Sequence, residues 1–116
     1  MGVGRQLKFG MAAATAVVLA APVSPAIAAD PEFTLSIKDH RFDPAELQVP
    51  AGVKLHLIVK NLDATPSEFE SNELHREKVV SPGQQIVVIV GPLDAGTYGF
   101  FDDFHQDTGQ GRLIAK

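Results

Sequence analysis

The residues best suited to coordination chemistry lie near the C-terminus, in the stretch from Gly96 to His105. Asp102, Asp103 and His105 stand there at the end of a run of aromatic and glycine residues. Carboxylate and imidazole donors suit hard and borderline cations. This stretch therefore predicts a metal site where a β-strand ends in a polar loop.

His105 is the leading candidate ligand in this loop, and the alternative is a surface histidine that binds nothing. Asp103 lies two residues away, and residues two apart in an extended backbone share a face. We therefore expect Asp103 and His105 to face the same cation. Asp102 would point to the opposite side. There it either orients a ligand by hydrogen bonding or, if the chain has already turned, binds the metal itself.

A second pair of carboxylates, Glu68 and Glu70, brackets one phenylalanine. If that ring turns inward, both carboxylates point to one side, where each raises the pKa of the other unless a cation neutralises them. The pair therefore favours a metal ion or an arginine. Three alternatives are open. Ser67 and Glu70 have the spacing of a helix capping box, Arg41 or Arg76 could pair with either acid, and acidic loops are often only solvated.

The other histidines and glutamates are weaker candidates. His40 follows the first predicted strand and could reach the same end of the fold. His75 lies among charged residues, as surface histidines do, and His56 points outward from a regular strand. Glu73 and Glu77 are expected to face solvent or pair with a lysine, although either could form a second ion site beside the first.

Composition excludes several kinds of site. The sequence has no cysteine, and its two methionines, Met1 and Met11, lie in the N-terminal segment. A blue-copper centre, an iron–sulfur cluster and a cysteine nucleophile all need a thiolate. No phosphate-binding loop or nucleophile–base pair is recognisable either. An oxygen-rich, histidine-poor metal site is the chemistry that the sequence supports.

The N-terminal segment is typical of an export signal. Arg5 and Lys8 precede an apolar run of about 13 residues, and Ala26 to Ala28 form a small-x-small cleavage motif. Such a run is too short for a permanent transmembrane helix, although a retained anchor is the alternative. We expect residues 1–28 to be a signal peptide and residues 29–116 to be one domain exported to the periplasm.

The charge of the exported domain bears on its partners. Without Arg5 and Lys8, eight basic residues face 14 acidic ones, which gives a net charge of −6. This balance disfavours nucleic acid and anionic membrane surfaces as partners and favours the attraction of cations. After signal cleavage, no direct membrane insertion is expected.

The hydrophobic pattern predicts an all-β fold. Short alternating or β-branched runs are separated by proline and glycine turns, without a long helical period. The predicted strands are Phe33–Lys38, Glu46–Val49, Val53–Lys60, Gln84–Val90, Thr97–Phe101 and Arg112–Ala115. Residues 64–78 lack this pattern and are interpreted as a structured loop, with room for a turn or two of helix in residues 71–78. Together these features predict a Greek-key β-sandwich.

Several segments together resemble the cupredoxin fold, over essentially the whole of residues 29–116. The general likeness lies in Phe42–Pro44, Glu46–Gly52, Val53–Asn61 and Gly96–Tyr98. A finer likeness lies in Asn61–Thr65, Glu68–Ser71, Arg76–Lys78 and Phe100–His105. These resemble the cupredoxin-like proteins of bacterial ferrous-iron uptake, namely the cupredoxin component of Ftr-type systems and the N-terminal domain of EfeO-type proteins.

The departures from ordinary cupredoxins matter as much as the likeness. The fold's cysteine ligand corresponds to Asp102, its first histidine region holds Ser67 and Glu68, and its second histidine corresponds to His105. The resemblance implies a periplasmic protein that binds Cu(II) as cofactor and Fe(II) as substrate ion. The implied partners are a periplasmic iron-binding protein and a membrane iron permease. It also implies assistance in Fe(II) oxidation before transport.

Two other functions are compatible with the same residues. A non-catalytic metal chaperone would bind an ion stoichiometrically without turnover. A metal-free interaction domain would dock its acidic loop on a basic partner, and that complex would weaken at high salt.

Overall fold

The structure is a computed structural model that describes residues 2, 4, 10, 12–22 and 29–116. The predicted cleavage motif at residues 26–28 lies outside the described residues. Residues 12–22 are exposed and form no regular secondary structure. Among the described residues, no helix has the length and apolar character needed to cross a membrane. The signal peptide and the domain boundary therefore stay predictions.

Residues 29–116 form two mixed β-sheets built from nine strands. The strands are β1 Glu32–Lys38, β2 Arg41–Asp43, β3 Glu46–Val49, β4 Leu55–Asn61, β5 Ser67–Ser71, β6 Arg76–Val80, β7 Gln85–Val90, β8 Gly96–Asp102 and β9 Gln110–Ala115. The first sheet has the order β2-β1-β4-β7, and the second has the order β3-β9-β8-β5-β6. The predicted all-β sandwich is confirmed.

Alternation along the strands explains how the sheets bury their inner faces. In β4, Leu55, Leu57 and Val59 are fully buried, whereas the residues between them are partly exposed. β4 lies between β1, to which it is parallel, and β7, to which it is antiparallel. Period-2 alternation of this kind places one apolar face on the core of a two-layer fold.

Three phenylalanines join the two layers. The ring of Phe42, on β2, lies edge-on to Phe100 and Phe69, on β8 and β5, with ring centroids 4.9 and 6.2 Å apart. Phe69 and Phe100 stack at 5.3 Å. Aromatic pairs at these separations add to the stabilisation from buried area. They anchor β5 and β8, the strands that position the candidate site.

The prediction for residues 64–78 was wrong. The segment is not a loop with helix but forms β5 and β6, which pair antiparallel, and β5 also pairs with β8. Polar Ser67 and Ser71 occupy inward positions of β5, so Phe69 is its only large apolar inward residue. Hydrogen bonding to two neighbouring strands overrides this weak pattern. The capping-box interpretation of Ser67 and Glu70 is excluded, because both lie within a strand.

Candidate metal centre

Three carboxylates converge on the outer face of the second sheet. Glu68 and Glu70 lie on the same face of β5, and Asp103 follows the last residue of β8, which pairs with β5. One oxygen from each side chain lies within 4.8 Å of the others. The N–H of Asp103 donates to the carbonyl of Glu68 at 3.0 Å, which ties the turn to the strand. We call Glu68, Glu70 and Asp103 the carboxylate cluster.

Glu68 is the least exposed member of the cluster. The residue is 7% exposed, and its Oε1 is buried without a hydrogen-bond partner. The neighbouring Glu77 carboxyl, by hydrogen bonding to the protonated form of Glu68, raises the pKa of Glu68 from 4.5 to about 7, and burial and the charges of Glu77, Asp103 and Glu70 add to the rise. Partial burial, followed by the charges of Asp103 and Glu77, also raises the pKa of Glu70. A bound cation would neutralise the repulsion among these carboxylates and would give Oε1 of Glu68 a partner.

No basic side chain in residues 29–116 neutralises the cluster. The ion pairs that lysine and arginine form there join Lys54 to Asp30 and Arg112 to Glu46. Arg76, a predicted partner, instead donates from Nε to the carbonyl of Ile89 at 2.9 Å. The arginine alternative therefore finds no support in the described part of the chain, and the charge balance favours a metal ion.

A buried carboxylate, Asp102, lies directly behind the cluster. Its Oδ1 accepts hydrogen bonds from the N–H of Glu68 at 2.9 Å and of Phe104 at 3.1 Å, and its Oδ2 lies 2.8 Å from Nδ1 of His105. Burial alone raises the pKa of Asp102, but hydrogen bonding, led by the N–H of Glu68 and the side chain of Ser67, outweighs it, so the pKa falls below its usual value. Asp102 thus stays ionised and directs the Nε2 of His105 away from itself.

His40 packs face to face on His105. Their ring centroids are 3.5 Å apart and the ring planes differ by 13°. The backbone N–H of His40 donates to Asp63 at 3.0 Å, and its Nε2 lies 3.1 Å from Oγ1 of Thr65. We call His40 and His105 the imidazole pair. The rings stack and each has a nitrogen already engaged, so hydrogen bonds to Thr65 and Asp102 fix the orientation of the pair.

A glycine makes this close packing possible. A Cβ on Gly109 would lie 2.6 Å from Cβ of Asp102 and 3.0 Å from the carbonyl oxygen of His105. Both neighbours are held in place, so an added methyl group has no room. Gly109→Ala should therefore destabilise the protein by about 1–3 kcal/mol in chemical denaturation. Gly96→Ala is the matched control, because its nearest neighbour would be a tyrosine ring at 3.8 Å. Equal stability of the two variants would contradict this packing.

The structure separates the predicted site residues into two neighbouring groups. The chain turns at Asp103 instead of staying extended, so Asp103 joins Glu68 and Glu70 while His105 folds back onto Asp102. The expected sharing of one face by Asp103 and His105 is therefore not found. His40 lies with His105, and Asp102 links the two groups through the N–H of Glu68.

The weaker candidates lie outside both groups. Nε2 of His56 is 3.2 Å from Asp30. His75 is in the turn between β5 and β6, with a φ of 55°. Glu73 accepts a hydrogen bond from the N–H of Gly99.

Two further residues lie near the cluster: Glu77, which the sequence offered only for a second ion site beside the first, and Gln106, which it did not indicate. Glu77 lies directly opposite Glu70 in the β5–β6 pair. Recognition of the hairpin would have revealed this, since both residues are equally distant from its turn. Gln106 donates from Nε2 to Oδ1 of Asp103 at 2.7 Å. No sequence pattern indicated that contact.

The donor set decides which metals the site can hold. A blue-copper centre requires a cysteine thiolate, and Asp102 in the corresponding strand is instead bound to His105, so the residues do not fit that centre. Three converging carboxylates fit a hard or borderline cation with oxygen ligands. Glu68 and Glu70 have raised pKa values and the cluster has no lysine or arginine partner, as expected of such a site.

Comparisons with known proteins agree with this fold. An uncharacterized protein of Rickettsia prowazekii (strain Madrid E) is 51% identical over 85 residues, which cover 73% of this chain and 68% of the relative. Auracyanin A, a "blue" copper protein from Chloroflexus aurantiacus, is 18% identical with a TM-score of 0.65, and the match covers 76% of this chain and 100% of auracyanin.

Two further solved structures show the same fold. Amicyanin from Paracoccus versutus is 18% identical with a TM-score of 0.59, over 78% of this chain and 86% of amicyanin. The metal-binding domain of the Cu(I)-exporting P-type ATPase CopA from Streptococcus pneumoniae D39 is 13% identical with a TM-score of 0.62, over 73% and 84%. The family model for the cupredoxin-like domain matches residues 10–115. The chain belongs to the cupredoxin-like domain family.

Proposed function

We propose that this chain is an exported metal-binding protein that takes Fe(II) or Cu(II) at the carboxylate cluster and serves bacterial ferrous-iron uptake. One observation supports the cluster above all others. Oε1 of Glu68 is buried without a donor, among carboxylates that no lysine or arginine in residues 29–116 pairs with. Leaving an acceptor in this state costs about 1–3 kcal/mol, which a bound cation would offset.

Chemistry and fold point to two metals. Oxygen ligands suit iron as the transported ion, and the finer sequence resemblance is to iron-uptake proteins. Copper is supported by the solved relatives described as copper proteins, and a site of nitrogen or oxygen donors binds Cu(II) more tightly than Fe(II). Copper bound here would lack a thiolate ligand and should therefore be pale.

The predicted export signal and the charge of the chain support its proposed location and partners. An acidic periplasmic protein can collect cations and pass iron to a membrane iron permease, with a periplasmic iron-binding protein as a further partner. Fe(II) bound by carboxylates would lose one electron to dioxygen more readily than free Fe(II), because anionic oxygen ligands stabilise Fe(III). If the protein has a redox role, we propose that it promotes oxidation of Fe(II) to Fe(III) before transport.

A non-catalytic carrier is the second candidate. It is favoured by the absence of any thiolate in the sequence and by the engagement of Nδ1 of His105 with Asp102. A carrier would bind one ion at the cluster and release it to a partner without changing its oxidation state.

Aerobic oxidation of Fe(II) separates these candidates. Purified protein is mixed with Fe(II) under anaerobic conditions, with and without one equivalent of Cu(II), and Fe(III) is followed after oxygen is admitted. Faster oxidation by wild type than by Glu68→Gln or by free Cu(II) would support a redox role. Tight binding of Fe(II) without acceleration would support a carrier.

The same variants test the position of the site. We expect Glu68→Gln to lose Fe(II) binding, whereas His105→Ala should retain most of it. Wild-type binding by Glu68→Gln would contradict the carboxylate cluster as the site. Loss of binding by His105→Ala alone would move the site to the imidazole pair.

A further inference from the structure

Asp103 is the member of the carboxylate cluster with the least support from the sheet. Glu68 and Glu70 lie on β5, which is hydrogen-bonded to β6 on one side and to β8 on the other. Asp103 lies in the turn after β8 and is exposed. The strands therefore set the directions of the two glutamates, but something else must set the direction of the Asp103 side chain.

Gln106 supplies that support. Its Nε2 donates to Oδ1 of Asp103 at 2.7 Å, which restrains rotation of the carboxylate about its Cβ–Cγ bond. The backbone carbonyl of Gln106 accepts a hydrogen bond from Nε2 of Gln110 at 3.0 Å. Backbone hydrogen bonds close the turn on either side of Gln106. The N–H of His105 donates to the carbonyl of Asp102 at 3.0 Å, and the N–H of Gly109 donates to the carbonyl of His105 at 2.8 Å.

We propose that Gln106 is a positioning residue for the metal centre and keeps the Asp103 carboxylate turned towards Glu68 and Glu70. This inference rests on the proposed function, since it concerns the same site. Three like charges within 4.8 Å repel one another, and an exposed aspartate would otherwise rotate into water. A neutral amide opposes that rotation without supplying a positive charge that would compete with a cation.

The chemistry of a glutamine suits this task better than that of a lysine. An amide N–H donates one hydrogen bond to one carboxylate oxygen and leaves the full negative charge of the carboxylate for the metal. Hydrogen bonds to ligating carboxylates commonly affect metal affinity by about 10–100-fold when removed. If Gln106 only stabilised the loop, its replacement would instead disturb the loop as a whole, including the contact between Gln106 and Gln110.

Fe(II) affinity, measured by anaerobic calorimetry on the full exported protein, tests the inference. Gln106→Leu keeps the bulk of the side chain but removes the donor, and it should weaken Fe(II) binding by about 10–100-fold. Gln106→Glu should weaken it at least as much, because it replaces the donor with a further repelling carboxylate. Gln110→Leu is the matched control, since it removes a brace of the loop and leaves the bond to Asp103 intact. It should change affinity less than about threefold.

A double-mutant cycle distinguishes positioning from bracing. In an Asp103→Ala background, Gln106→Leu should have no further effect on Fe(II) affinity, because its target is gone. An unchanged affinity for Gln106→Leu, or an equal loss for Gln110→Leu, would overturn the positioning role. If Glu68→Gln binds Fe(II) as well as wild type, or wild type binds none, the proposed function fails and this inference fails with it. Loss in Glu68→Gln without loss in Gln106→Leu overturns the positioning role alone.

Discussion

Glu68→Gln should abolish stabilisation by metal and, without metal, should make the protein more stable than wild type above pH 7. The pKa of Glu68 is raised from 4.5 to about 7 in the folded state. The stability linked to this group is therefore fully present below about pH 4.5 and is lost as the pH rises through about 7. Glutamine has no proton to lose and avoids this loss.

Bound metal should reverse the order of stability, so that wild type becomes more stable than Glu68→Gln. In wild type, a cation bound to the ionised cluster should raise stability by about 2.7 kcal/mol at a hundredfold excess over Kd. The gain should be smaller at pH 5 than at pH 8, because Glu68 must release its proton before it can bind. Glu68→Gln removes a charged ligand and should show no such gain.

Thermal unfolding at pH 5 and pH 8, with and without Fe(II) under anaerobic conditions, measures both effects. Glu32→Gln is the control, because Glu32 is an exposed glutamate on β1 in the other sheet. It should behave as wild type in all four conditions. A metal gain that survives in Glu68→Gln, or a metal-free Glu68→Gln that is less stable than wild type at pH 8, would contradict this electrostatic picture.

Asp102→Ala should be among the most destabilising single substitutions in the domain. Asp102 is fully buried, and its loss leaves the N–H groups of Glu68 and Phe104 and the Nδ1 of His105 without their acceptor. Leaving a buried donor without its acceptor costs about 1–3 kcal/mol, and here three donors lose their acceptor at once. Chemical denaturation at neutral pH would measure the loss. Asp102→Asn should cost less, because its side-chain oxygen can still accept from the two N–H groups.

The neighbouring aspartate provides the control for Asp102. Asp103 is exposed and surrounded by like charges, so Asp103→Ala should change metal-free stability by less than about 0.5 kcal/mol. The pKa of Asp102 is lowered from 3.8, so its contribution is present above about pH 4 and is lost as the pH falls through the folded-state pKa. Asp102→Asn should reduce this loss of stability at acidic pH. Equal costs for Asp102→Ala and Asp103→Ala would contradict the structural role of Asp102.

Much of the fold could be predicted because its strands follow the period-2 rule. Leu55, Leu57 and Val59 alternate with polar or partly exposed residues, and all three are buried in β4. Turn residues such as Pro50 and Gly52 separated the segments. The β5–β6 hairpin was missed because its inward positions include serines, whose burial depends on partners that are distant in sequence.

The candidate site was harder to predict, because loop geometry decides which side chains meet. Asp103 and His105 are two residues apart, which predicts a common face in an extended backbone. The backbone turns there instead, so the two side chains lie in different groups. The placing of Glu68 with Glu70 needed only strand alternation, which is local. Their convergence with Asp103 depends on the pairing of β5 with β8, which no local pattern specifies.

Asp102 suggests how this chain differs physically from copper proteins of the same fold. The resemblance places it where those proteins have a cysteine ligand. Here the carboxylate is bound by two backbone N–H groups and by His105, so it has become an internal support. The metal-binding chemistry that we propose lies on the adjacent outer face of the sheet, where β5 and the turn after β8 bring the carboxylate cluster together.

Anomalous diffraction from crystals soaked in Fe(II) or Cu(II) would test the central proposal most directly, because it locates a metal without reference to activity. We expect one peak within about 2.0–2.6 Å of an oxygen from each of Glu68, Glu70 and Asp103, and no peak in crystals of Glu68→Gln. A peak at Nε2 of His105 with the cluster empty, or no ordered metal at all, would contradict a metal centre built from these carboxylates.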